Sequence, residues 1–101
     1  MKKTLKYNFI WIPHELGGHN ASPYKGMRTL IRWQKFLAEY LDNSRVIQWE
    51  TLTFDPETLQ GTAVGSFTPN EPPPDDWLRD GELVEFIGSY NVLAVGRISS
   101  K

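Results

Sequence analysis

Residues 15–28 read Glu15-Leu16-Gly17-Gly18-His19-Asn20-Ala21-Ser22-Pro23-Tyr24-Lys25-Gly26-Met27-Arg28. Three of the chain's eight glycines fall here, with a proline, a histidine and two cations. Glycine and proline at this density do not suit the interior of a helix or a strand. The stretch is a shaped excursion between two regular elements, and what flanks it decides the fold. Upstream, residues 4–12 alternate. Leu5, Tyr7, Phe9 and Trp11 point one way, and Thr4, Lys6, Asn8 and Ile10 the other. That is the period of a half-buried strand. Pro13 ends it by removing a backbone donor. With His14 included, the excursion runs to about fifteen residues, beyond the usual connection length, and such loops are functional or packed as compact Ω-type excursions.

Downstream, residues 29–41 support two readings. Leu30, Trp33, Leu37 and Tyr40/Leu41 recur at helical spacing, and Thr29 could cap such a helix. Equally, Ile31 and Trp33 can share a strand face with Met27, which leaves Leu30 facing away. Helix propensity is concentrated in residues 34–41. Asp42-Asn43-Ser44 is a turn. Residues 46–54 are rich in β-branched and aromatic side chains and read as a strand. Asp55-Pro56-Glu57 turns the chain into a shorter strand over residues 61–68, with Val64 and Phe67 as its main apolar content.

Residues 69–76 hold three consecutive prolines, which keep the backbone near polyproline II. Such a run could serve as a ligand for an aromatic groove. The expectation is a stiff loop crossing one end of a barrel, with Trp77 and Leu78 folding back onto the core. After the Asp80-Gly81 turn, Leu83–Ile87 and Val92–Ile98 flank Gly88-Ser89-Tyr90-Asn91. Two apolar runs around a Gly/Ser/Asn turn predict a β-hairpin. Several short strands separated by turn signals indicate a single all-β domain spanning residues 1–101, a sandwich or a barrel.

Composition narrows the function. With 40% apolar residues and thirteen aromatics, 101 residues can build one core without staples. The absence of cysteine excludes a disulfide scaffold, a thiolate nucleophile and a Cys-based zinc site, and it fits a reducing cytoplasm. No apolar run approaches the ~20 residues that span a bilayer, so no membrane contact is expected. Met1, Lys2 and Lys3 form a basic head, but Lys6 and Asn8 interrupt what would be a signal peptide's apolar core. The net charge of −1 is unevenly spread: residues 1–35 carry seven Lys or Arg and one Glu, and residues 36–101 carry four Lys or Arg and eleven Asp or Glu. Either these blocks occupy different faces, one of which could meet phosphate or an acidic protein, or they interleave and cancel.

Catalytic patterns are missing. There is no phosphate loop and no dinucleotide fingerprint. His14 and His19 stand five apart and could hold a metal with Glu15 only if further ligands converged, so exposed loop histidines are the expectation. Ser22 lies near both but has no nucleophile elbow around it. Asp75/Asp76 and Asp80/Glu82 are paired acids next to turns and prolines, where solvated loop charge is expected rather than glycosidase chemistry. No enzyme activity, cofactor or metal is expected. The cations are better placed. Lys25, Arg28 and Arg32, with Tyr24 among them, offer the phosphate contacts and the stacking surface that RNA binding uses.

The loop also resembles the start of the C-terminal β-barrel domain of elongation factor Tu. That pattern runs acidic residue, Gly-Gly, basic residue, a Thr-Pro-aromatic stretch, then Gly-Tyr-Arg-Pro. Gly17, Gly18, Gly26 and Arg28 fall in step, and Tyr24 takes an aromatic place. His19 replaces the arginine, Met27 the tyrosine and Thr29 the proline. The closing hairpin is similar too, with Val84 and Phe86 in its first strand and Val92, Leu93, Gly96 and Ile98 in its second. The resemblance implies a small antiparallel β-barrel of about six strands. It makes residues 28–36 a strand, with a divergent connection that keeps a helical turn after Leu37. It implies a docking surface for the T-stem of aminoacyl-tRNA and for proteins, without the nucleotide site, which lies in another domain of that family. In the family, a Glu-Gly-Gly hairpin turn meets the RNA. Here the turn is Gly88-Ser89-Tyr90-Asn91, without that glutamate and its arginines. The expectation is therefore a binding module for a protein partner, with RNA or tRNA as the alternative and no DNA. Its loop face would use His19, Tyr24, Lys25, Arg28 and Arg32, and its hairpin turn Ser89, Tyr90 and Asn91.

Overall fold

Alternation along the chain becomes a closed wall. A computed structural model describes residues 3–18, 21–39, 43–69, 72–88 and 91–99. Six strands form among them: β1 (Thr4–Trp11), β2 (Arg28–Trp33), β3 (Ser44–Asp55), β4 (Gln60–Phe67), β5 (Leu83–Ile87) and β6 (Val92–Ile98). All pairings are antiparallel, and the order β1-β4-β3-β2-β5-β6 closes on itself as a barrel. Closure pairs every strand on both sides, so no edge is left open. No helix among the described residues is long and apolar enough to cross a membrane.

The alternation read in β1 holds residue by residue, with Leu5, Tyr7, Phe9 and Trp11 buried and Thr4, Lys6, Asn8 and Ile10 exposed. The interior is largely aromatic. Tyr7 meets Phe86 at a centroid distance of 4.6 Å, and Phe9 and Phe86 each meet Trp49 at 5.0 Å in edge-on geometry. Such pairs add about 0.5–1.5 kcal/mol each beyond the area they bury. Trp49 donates its indole N–H to Thr29 Oγ1 at 3.1 Å, so this buried ring leaves no orphaned donor. An irregularity between Trp49 and Thr51 bends the long β3, so that it can pair with β2 at one end and with β4 along the rest.

Of the two readings of residues 29–41, the strand holds through Trp33, so Thr29 lies inside β2 and caps no helix. The helical tendency survives only in the short turns that follow, and residues 40 and 41 lie outside the described residues. β2 stops at Trp33, short of the expected residue 36, and Gln34–Glu39 form 3₁₀ turns broken at Phe36 (φ −116°, ψ 22°). The helix-forming tendency of that segment takes over once Trp33 is buried. Phe36 then turns toward Trp77, with ring centroids 5.0 Å apart.

Trp77 closes this end of the barrel. The proline-rich loop leads into a 3₁₀ turn at Asp75–Trp77. Trp77 packs edge-on against Trp33 at 5.0 Å, its carbonyl accepts the Trp33 indole N–H at 2.7 Å, and the Arg45 guanidinium lies 4.8 Å from its ring. Lys3 fastens the loop by donating to Pro73 O at 2.8 Å and to Asp75 at 2.7 Å. Trp77 thus folds back onto the core, as expected of the residues that follow the prolines.

The unequal charge blocks interleave. Lys3 pairs with Asp75, Arg32 with Glu85 and Lys35 with Glu82, each joining the basic first third of the chain to the acidic remainder.

Candidate functional site

The glycine-rich loop crosses the opposite end of the barrel and is tied down on three sides. Just after β1, Leu16 and Gly18 both donate backbone N–H to Pro13 O at 3.0 Å, around a 3₁₀ turn at His14–Leu16. Gly17 has φ +92°, a left-handed conformation that side chains disfavour. Gly18 is restricted by space instead, since a Cβ there would lie 1.9 Å from Ile12 O. Farther on, Trp11 Nε1 donates to Ala21 O at 3.0 Å, and Pro23 is buried. The loop rejoins the sheet beside β3: Gly26 N donates to Trp49 O at 2.6 Å, and Trp49 N to Met27 O at 2.8 Å.

The two segments singled out by sequence meet here. Asn91, in the β5–β6 turn, donates its side-chain amide to Gly17 O at 2.8 Å. The hairpin turn and the glycine loop, far apart in sequence, thus form one end of the barrel. Gly88 N also donates to Asn91 O at 3.0 Å, closing the expected turn. His19, Ser89 and Tyr90 lie outside the described residues.

Of the loop-face candidates, Tyr24, Lys25 and Arg28 remain together. Tyr24 is 62% exposed, Lys25 and Arg28 are exposed, and none of the three side chains makes a hydrogen bond or ion pair among the described residues. Arg32 belongs elsewhere. It sits two alternations farther along β2 with its Nε 2.6 Å from Glu85 Oε1, so its charge is engaged on the barrel wall. Ser22 is exposed, and no group of three or more His, Cys, Asp or Glu among the described residues could hold a metal.

Next to Arg28 the structure shows a feature that sequence reasoning missed. Leu30 stands opposite Val46 on one side and Ile87 on the other, and Ile87 stands opposite Val92. These four aliphatic side chains form a row across β3, β2, β5 and β6 on the outer wall. Leu30 and Val46 are each 40% exposed, and Ile87 and Val92 are half-buried. The signal in the sequence was Leu30 itself, an apolar residue on the outward register of its strand. Its neighbours could be found only from strand order. Across the wall, the row lies between Arg28 with Gln48 and the Arg32–Glu85 pair. Compared with known proteins, the chain matches no family model and no curated protein.

Proposed function

We propose that the protein is a non-catalytic docking module for a protein partner, and that its docking face joins the aliphatic row to Tyr24, Lys25 and Arg28. The row carries the proposal. Apolar residues spread singly over a surface mean little, but four in register across adjacent strands mark a surface that association would cover. Beside it stand an exposed tyrosine and two cations without carboxylate partners among the described residues. Aromatic and arginine side chains beside an apolar strip are what protein interfaces enrich. The matching surface would be apolar with acidic neighbours. The likeness to the elongation factor Tu barrel agrees with a docking role.

Incorporating a photo-crosslinking residue at position 24 tests this in the source cell, with position 51, an exposed site on β3, as control. The expected result is a discrete protein adduct from position 24 alone, reduced about tenfold when Leu30→Asp and Arg28→Glu are combined. Identical adducts from both positions, or adducts consisting only of RNA, would overturn it. RNA binding is the second reading, favoured by Lys25 and Arg28, which have no carboxylate partner among the described residues. It predicts a salt-dependent affinity for bulk tRNA whose log–log slope falls by about one for each cation removed.

A further inference from the structure

Away from the docking face, the wall formed by β4, β1, β6 and β5 is indented by a groove of about 840 Å³, within the range of small-ligand sites. Two inward-facing glycines line it. Gly61 on β4 and Gly96 on β6 flank Phe9 in register. A Cβ on Gly61 would lie 2.6 Å from the Phe9 ring, and one on Gly96 would lie 2.7 Å from Asn8 O. Neither position therefore has room for an inward side chain, because the Phe9 and Phe86 rings and the carbonyls of neighbouring strands lie against it.

Register sets the lining in two rows. Leu83, Arg97, Asn8 and Thr62 are successive partners across β5, β6, β1 and β4, and Glu85, Val95, Ile10 and Gln60 form the adjacent row. Ile10, Val95 and Leu83 are exposed, although each strand has an apolar face already buried inside. The charges are not equivalent. Glu85 is held by Arg32, and Asp55, at one end of the groove, accepts the Glu57 backbone N–H at 2.9 Å. Arg97 makes no ion pair or hydrogen bond among the described residues. The groove thus offers one uncommitted guanidinium with the Asn8 amide in the next strand, beside three exposed aliphatic side chains.

We infer that this groove binds a carboxylate carrying an apolar body. The guanidinium fork matches a carboxylate bidentately. Asn8 adds an amide donor, and Ile10, Val95 and Leu83 receive the aliphatic part. Such a carboxylate could come from a medium-chain aliphatic acid or from the C-terminus of a peptide ending in apolar residues. The site is separate from the docking face and does not rest on it.

Solution NMR of the whole chain, with the Arg97 Nε–Hε signal and the Ile10 and Val95 methyls as reporters, tests this with octanoate, octylamine and a peptide ending Val-Leu as free acid or as amide. Octanoate is expected to shift all three reporters and octylamine none. Arg97→Gln, at an exposed position whose spectrum reports retention of the fold, weakens octanoate about tenfold. Leu30→Asp leaves it unchanged. Shifts by the free-acid peptide and not its amide identify a protein C-terminus as a source, and shifts by octanoate alone identify a small acid. Absence of shifts with both carboxylates, equal shifts with octylamine, or unchanged affinity in Arg97→Gln would overturn the inference.

Discussion

At the scale of single residues, two buried polar groups behave in opposite ways. Tyr7 is fully enclosed, and its hydroxyl has no hydrogen-bond partner among the described residues. Burial pushes its phenol well above the ordinary tyrosine range, so it stays neutral throughout the working pH range. Tyr7→Phe should therefore be stabilising, by about 1 kcal/mol, because a desolvated hydroxyl is removed without breaking a bond. A urea titration showing the variant less stable than the parent would contradict the unpaired geometry. The Trp49 indole has the reverse arrangement. Its N–H depends on Thr29 Oγ1. Thr29→Val keeps the shape but orphans that donor, and the same titration should show a loss of about 1–3 kcal/mol. Neither partnership could be read from sequence. Tyr7 was legible as a core residue from its alternation, but what its hydroxyl would meet depends on which strands close around it.

At the scale of elements, the turns and strands were legible and their junctions were not. The hairpin of β5 and β6 follows from two apolar runs around residues 88–91, and β1 from its aromatic alternation. Residues 29–41 carried helix and strand signals together because the chain uses both, changing from one to the other at Trp33. The reason is tertiary: Phe36 leaves the strand register to reach Trp77. Trp77→Ala should cost about 3–5 kcal/mol in chemical denaturation, since it removes the ring that covers Trp33, Phe36 and Arg45. The loop that carries Trp77 has a pH-dependent tether. The hydrogen bond from Lys3, and then its charge, hold the Asp75 carboxyl below its usual range. A carboxylate depressed in the folded state stabilises above its unfolded pKa, and that contribution is lost as pH falls. Asp75→Asn should be less stable than the parent at neutral pH, and the gap should close as pH drops below about 4. Thermal melts at two pH values measure it, and a gap that persists in acid would show that Asp75 acts through something other than its charge.

At the scale of the whole molecule, the all-β class follows from patterning, whereas patterning left sandwich and barrel open, and the two candidate sites needed the order of strands. Leu30, Ile87, Val46 and Val92 are scattered through the sequence, as are Arg97, Asn8 and Thr62, and only register brings each set together. The basic first third could have formed one surface or interleaved with the acidic remainder, and Lys3, Arg32 and Lys35 pair across the barrel while Lys25 and Arg28 stand at the docking end. Refolding followed by tryptophan fluorescence should take on the order of milliseconds to seconds, since pairing is dominated by distant strands; a microsecond phase carrying the full amplitude would contradict this topology. The closing seam has a consequence for how the protein is made. β1 is synthesised before both of its pairing strands, β4 and β6. Its aromatic side chains meet Trp49 and Phe54 before its backbone has any strand to pair with, since β4 begins at residue 60, and the wall cannot shut until residue 98 is in place. The nascent chain therefore carries an unpaired, sticky strand until β4 and β6 have followed it, and exposure of that strand during synthesis, rather than stability of the finished barrel, is what should limit yield in a cell.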